Sequence, residues 1–163
     1  MNAIVTGPMR ALTIRLQDER FAVEAESVRE ILDLVPITEV PNASPFVSGL
    51  INVRGRVVPL ADLRVMFDMD RPEPNEDTRI VVIEINLENE PTVVGILADK
   101  VHDVTDIEAT DIREAPRVGM RWRPEFVKGV GRLNGDFIII PNLERIFETN
   151  GGRSAPGAEE RAA

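Results

Sequence analysis

Residues 46–67, FVSGLINVRGRVVPLADLRVMF, lie without gaps over residues 126–147, FVKGVGRLNGDFIIIPNLERIF, at an offset of 80. Phe46, Val47, Gly49, Gly55, Leu63 and Phe67 fall on Phe126, Val127, Gly129, Gly135, Leu143 and Phe147. Apolar residues exchange for apolar ones at Leu50/Val130, Val53/Leu133, Val57/Phe137, Val58/Ile138 and Met66/Ile146. A weaker echo precedes it at an offset of 73, where AESVREILD (25–33) lies over ADKVHDVTD (98–106). A duplicated unit of this kind restricts the chain to two related modules built alike. The second is longer by seven residues, inserted around 113–125.

Period-two alternation dominates the rest, and it predicts strands. Leu12, Ile14 and Leu16 share one face, with Thr13 and Arg15 on the other. Asp18 and Glu19 are expected to turn the chain, so that Phe21 and Val23 open a return strand. Val81, Ile83, Ile85 and Leu87 form a second face, opposed by Glu84 and Asn86; ENEP (88–91) turns the chain and Thr92 to Ala98 returns. β-Branched residues are frequent and proline and glycine punctuate at short intervals, which predicts a mostly β protein. Short helices are expected over Ala25–Ile31, Leu63–Phe67 and Asn142–Phe147. Residues 68–78, DMDRPEPNEDT, lose apolar periodicity after Met69 and read as a solvated connector. Residues 1–9 read as a flexible start and 149–163 as a disordered tail. Between them lie two pseudo-repeated β-barrel halves, roughly 10–78 and 79–148, with room for strands to be exchanged. Closure into small barrels removes exposed sheet edges.

The repeat also places Arg54. Its counterpart is Asn134, and Asn134–Gly135 is a strong tight-hairpin signal. Arg54–Gly55 is therefore expected at the same turn, with Gly55, Asn134 and Gly135 as its structural residues. A type I′ turn puts its first central residue at positive φ, an uncommon place for arginine. Two readings stay open at this level: an arginine selected for contact, or a surface arginine paired with Asp62 or another acid.

Composition narrows the function classes. Nineteen basic residues face 28 acidic ones, for a net charge of −9. Phosphate contact needs clustered Lys and Arg, so neither nucleic acid nor an anionic membrane is an expected partner. There is no cysteine, which removes disulfides, thiolate metal sites and cysteine nucleophiles together. No leader-like start and no membrane-length apolar run is visible, and the chain reads as soluble and cytoplasmic. The only histidine is His102, near Asp99, Asp103 and Asp106. No serine-nucleophile motif, phosphate loop or dinucleotide fingerprint accompanies it. The repeat puts Arg29 at its equivalent position, which favours a solvent-facing strand residue over a ligand. No catalytic residue, metal or cofactor is expected. The Arg-rich RVGMRWRP (117–124) holds the one tryptophan, Trp122, expected to cover a barrel with its arginines solvated.

The stretch VREILDLVPITEVPNASPFVSGLINVRGRVVPLADLR (28–64) resembles the CheW family of bacterial chemotaxis coupling proteins. The carriers are a V-x-E-I segment, a P-x-F-x-x-G-x-x-N-x-R-G run and P-x-x-D-L-R, joined by VVGILADKVHDV (93–104) and GVGRLNGDFIIIPNLERIF (129–147). The similarity covers about residues 10–148. It implies two packed five-stranded SH3-like β-barrels and no catalysis. It implies a scaffold between the cytoplasmic tip of methyl-accepting chemoreceptors and the regulatory domain of the histidine kinase CheA, with other CheW copies as further partners. Carried over by position, Val28, Glu30, Ile31, Val101 and Val104 would line an apolar receptor groove between the barrels. Gly49, Asn52 and Arg54 match motif residues that matter for receptor coupling. Kinase surfaces would lie at the far barrel ends, with no residue assigned. Segment 117–123 and the tail depart from the family pattern. Three rival readings stand beside this one: a CheW-like adaptor of a pilus or second-messenger pathway, a small enzyme or metal site around His102, and an inert β protein.

Overall fold

The computed structural model describes residues 7–115 and 123–151. Its strands are β1 (Met9–Leu16), β2 (Glu19–Glu24), β3 (Val28–Asp33), β4 (Thr38–Glu39), β5 (Val47–Val53) and β6 (Arg56–Ala61). They continue with β7 (Arg79–Leu87), β8 (Glu90–Ala98), β9 (Lys100–Ile107), β10 (Val127–Leu133) and β11 (Asp136–Pro141). Two short helices follow the repeated hairpins, α1 (Leu63–Met66) and α2 (Leu143–Ile146).

The strands form two curled sheets, in the orders β10-β11-β2-β1-β9 and β3-β7-β8-β6-β5-β4. We call them barrel A and barrel B. Each takes a hairpin from the other half of the chain: β1–β2 joins β9–β11, and β7–β8 joins β3–β6. Barrel A has five strands; barrel B has a sixth because two-residue β4 pairs with β5. Both close by the same device. After β3 the chain crosses to pair Thr38 with Leu50. After β9 it crosses to pair Arg113 with Val130, through hydrogen bonds of 2.9 and 2.8 Å. Small residues let the crossing chain approach. A Cβ on Gly49 would sit 2.3 Å from Ile37 Cγ2, and one on Gly129 3.0 Å from the Arg113 carbonyl oxygen.

Alternation sorts side chains between three cores. Ala11, Ala22, Ile107, Ile138 and Ile140 fill barrel A; Ile51, Val58, Leu60, Ile80 and Val82 fill barrel B. The opposite faces meet in a shared core that holds Leu12, Ile14, Phe21, Val81, Ile83 and Ile96. Phe46, Phe67, Phe126 and Phe147, the aromatic residues that the repeat pairs with each other, all lie in this shared core. Phe46 meets Phe147 at a tilt of 58° with centroids 5.1 Å apart, and Phe67 meets Phe21 edge-on at 5.0 Å. Apolar burial and aromatic geometry both favour this arrangement.

Several expectations are corrected. Ala25–Ile31 is not a helix: only Ala25–Ser27 makes a 3-10 turn, and Val28–Asp33 is β3. Its half-buried and exposed residues alternate, and Val28, Ile31 and the intervening bulge pair with β7. The first turn is Gln17–Asp18, with Gln17 at φ 57°, and Glu19 already belongs to β2. Thr13, on the strand face opposite Leu12 and Ile14, is buried too, and its hydroxyl is satisfied by donating to the Asp103 carbonyl at 3.0 Å. Met9 begins β1, so order starts within the segment read as loose. In the connector, residues 71–76 are exposed, but Thr78 is buried. Arg117 and Trp122, like most of the tail, lie outside the described residues.

Candidate functional site

Arg54 and Gly55 have φ of 52° and 84°; Asn134 and Gly135 have 55° and 86°. Both hairpins thus turn alike, as the repeat requires, and both central residues sit in the region a type I′ turn demands. The Arg54 turn is held from within. The Asn52 side-chain oxygen accepts the Gly55 N–H at 2.9 Å.

Arg54 reaches across to β3. Its Nε and Nη2 donate to the two carboxylate oxygens of Glu30 at 3.1 and 3.2 Å. The acid is therefore Glu30, not Asp62. The bidentate fork matches the carboxylate and fixes the guanidinium plane. That bond and the negative charge of Glu30 raise the Arg54 pKa above its ordinary value. Arg54 nonetheless stays exposed, while Glu30 is mostly covered, its side chain 25% accessible. Beside them Arg29 pairs with Glu84. Arg29, Glu30, Arg54, Arg56, Glu84 and Val93 line one shallow depression at the end of barrel B.

Asp62 has other work. It caps α1, accepting the Arg64 backbone N–H at 3.0 Å and the side-chain Nε at 2.9 Å. Buried Arg64 also donates to Asp99 at 2.9 Å, and Asp99 accepts the Gln17 N–H at 2.6 Å. The network ties α1, the β1–β2 turn and the β8–β9 junction together. The bond from Asp62 raises the Arg64 pKa in spite of burial.

The structure brings Glu30, Asn52 and Arg54 into one cluster. Gly49 lies on the same hairpin, where its missing side chain admits Ile37. Val28 and Val101 are half-buried and pack against the shared core from different barrels. Ile31 and Val104 are exposed. Among the described residues no hydrogen bond or ion pair joins β3 to β9. Three apolar residues that sequence reasoning missed extend the surface from Ile31: Leu34, Ile37 and Val40, each exposed. The signal was there as an apolar run between prolines with no strand or helix period. Val57 and Phe137, matched by the repeat, are 65% and 66% exposed just past the two turns.

His102 sits on β9, half-buried rather than solvent-facing, with its Nε2 enclosed and unpartnered. Burial and nearby Arg20, Lys100 and Arg15 hold its pKa below the ordinary value. Among the described residues no cluster of three metal-ligating side chains forms, and no helix is long and apolar enough to cross a membrane.

Two curled β barrels sharing one core, with exposed side chains presented on turns and edges, define an all-β module without an enclosed catalytic cluster among the described residues. A CheW-like domain model matches residues 10–150. The chain is 31% identical to "Chemotaxis protein CheW" of Rhizobium meliloti (strain 1021), over 88% of this chain and 90% of that one. It is 28% identical to "Protein FrzA" of Myxococcus xanthus, over 83% and 82%. The crystal structure of scaffolding protein TtCheW from Thermoanaerobacter tengcongensis superposes with a TM-score of 0.77 at 29% identity, covering 88% of this chain and 95% of that one. The chain belongs to the CheW-like family, whose members are scaffold and adaptor proteins rather than enzymes.

Proposed function

We propose that this protein is a cytoplasmic, non-enzymatic adaptor that couples the tips of methyl-accepting chemoreceptors to the regulatory domain of the histidine kinase CheA. The observation that carries the reading is the Arg54–Glu30 fork, an exposed cation held in one orientation on a turn that belongs to the family motif. Beside it, Ile31, Leu34, Ile37 and Val40 offer apolar area, and burial contributes about 25 cal/mol per Å². Val28, Asn52, Val101 and Val104 complete the proposed receptor surface, and buried Gly49 supports it from beneath by admitting Ile37. The protein acts by holding partners, so it biases kinase states without chemistry of its own. Modest contacts at several faces, including other copies of the chain, gain avidity in an assembly.

Reconstitution tests it. CheA autophosphorylation is measured with a receptor fragment, with and without this protein. A receptor-dependent change in rate that needs this protein supports coupling; identical rates in both arms refute it. A second reading has the same adaptor serve a pilus or second-messenger pathway. Which kinase it couples in the same assay separates the two.

A further inference from the structure

The strand registers of the two barrels can be matched, and three matched positions differ in charge. Val101 faces Ile14 as Val28 faces Ile83. This puts Arg15 where barrel B has Glu84, His102 where it has Arg29, and Arg20 where it has Val93. In barrel B the acid and base answer each other, since Arg29 pairs with Glu84. In barrel A the places of Glu84 and Val93 hold the cations Arg15 and Arg20, and none of the three positions holds an acid. Arg15 stands directly opposite Arg20 on β2 and opposite Lys100 on β9. Like charges facing each other across strands are destabilising. Arg15 and Arg20 continue the inward face of Ala11, Thr13 and Ala22, so the row lies at the end of the barrel beside the Gln17–Asp18 turn. With strands about 4.8 Å apart, it spans about 10 Å.

The row is unanswered. Among the described residues, none of Arg15, Arg20, Lys100 and His102 takes part in an ion pair. Arg15 Nε and His102 Nε2 are enclosed side-chain nitrogens without a hydrogen-bond partner. Asp99, the nearest acid in sequence to Lys100, is committed to Arg64 and Gln17. Asp103 acts on His102 through its charge, but among the described residues no acid pairs with Arg15, Arg20 or Lys100.

We propose that the mouth of barrel A is a binding site for a carboxylate group supplied from outside the chain. Barrel B shows the chemistry that fits: there a carboxylate, Glu84, stands at the position Arg15 holds in barrel A and answers Arg29. Arginine's planar fork matches a carboxylate in two hydrogen bonds. The same chemistry has two sources, a free small dicarboxylate or an acidic side chain of a docked protein. The site stands independently of which partners the adaptor couples.

His102 is the only histidine, so its ring-proton signals report on the mouth without assignment. The full chain is titrated by NMR at constant ionic strength with glutarate and, separately, with a blocked Glu-Glu dipeptide, against sodium chloride. A saturable shift is expected. Saturation by glutarate identifies a free small acid as the source; saturation by the dipeptide alone identifies a protein side chain. Arg15→Glu, which supplies the acid internally, should weaken binding at least about tenfold. Arg20→Val, which installs the barrel B residue, should weaken it several-fold. No saturable shift with either probe overturns the site. So does a saturable shift that both variants retain.

Discussion

Arg54 holds Glu30 through paired hydrogen bonds of 3.1 and 3.2 Å, joining the tip of the β5–β6 hairpin to β3 across 24 residues of chain. The pair leaves the guanidinium in solvent and covers most of the carboxylate. An exposed pair of this kind adds little to folding. Arg54→Ala is therefore expected to melt close to the unmodified protein and to lose receptor-dependent kinase coupling. Glu30→Gln should weaken coupling less, because one acceptor survives. Circular dichroism melts beside the coupling assay check both; a collapse in melting temperature for Arg54→Ala contradicts a surface role.

Gly55 lies at φ 84° with open space where a Cβ would go. Any cost of a side chain there is backbone strain alone. Gly55→Val should lose about 1–3 kcal/mol in urea unfolding. Gly135→Val, at φ 86° in the repeated turn, should lose a similar amount. Unequal losses would show that the two turns are not energetic equivalents.

Arg64 is 4% exposed and serves Asp62 and Asp99 at once. Removing one partner of a buried pair leaves the other charge unanswered, at about 3–5 kcal/mol. Arg64→Ala should be far more destabilising than Arg54→Ala. Arg64→Lys should recover only part, since an ammonium does not reproduce the fork to Asp62 and the reach to Asp99. Chemical denaturation of the three variants ranks them.

His102 gives a pH signature. Its folded pKa lies below the ordinary 6.5, through burial first and then Arg20, Lys100 and Arg15, with Asp103 opposing. The unfolded chain then binds the proton more readily than the folded one, so stability rises with pH across that window. Urea midpoints should fall as pH drops from 7.5 through 6.5 toward 5.5. His102→Gln should flatten that stretch of the curve.

Much of this was legible in sequence because duplication makes a chain comment on itself. Asn134–Gly135 has an unambiguous turn preference, and the alignment transferred it to Arg54–Gly55, whose own residues would not have declared it. The partner of Arg54 was not legible. Glu30 is brought close by the pairing of β3 with β7, a contact between distant segments that local pattern does not encode. The same limit hid β3 itself. Val28, Ile31 and Leu32 lie at spacings that suit a helix as well as a bulged strand, and the sheet decided between them. The cationic row escaped notice because Arg15, Arg20 and Lys100 look like ordinary surface charges until their strands are laid side by side.

The exchange of hairpins has a consequence for synthesis. β1 and β2 leave the ribosome first, yet one of their flanking strands is β9 and the other is β11. Barrel A cannot close until nearly the whole chain has emerged. Such long-range pairing folds slowly, and the waiting hairpin exposes Leu12, Ile14, Phe21 and Val23 meanwhile. For this chain the last strands made are the ones that protect the first, so a nascent protein stalled before residue 126 is the form most in need of a chaperone.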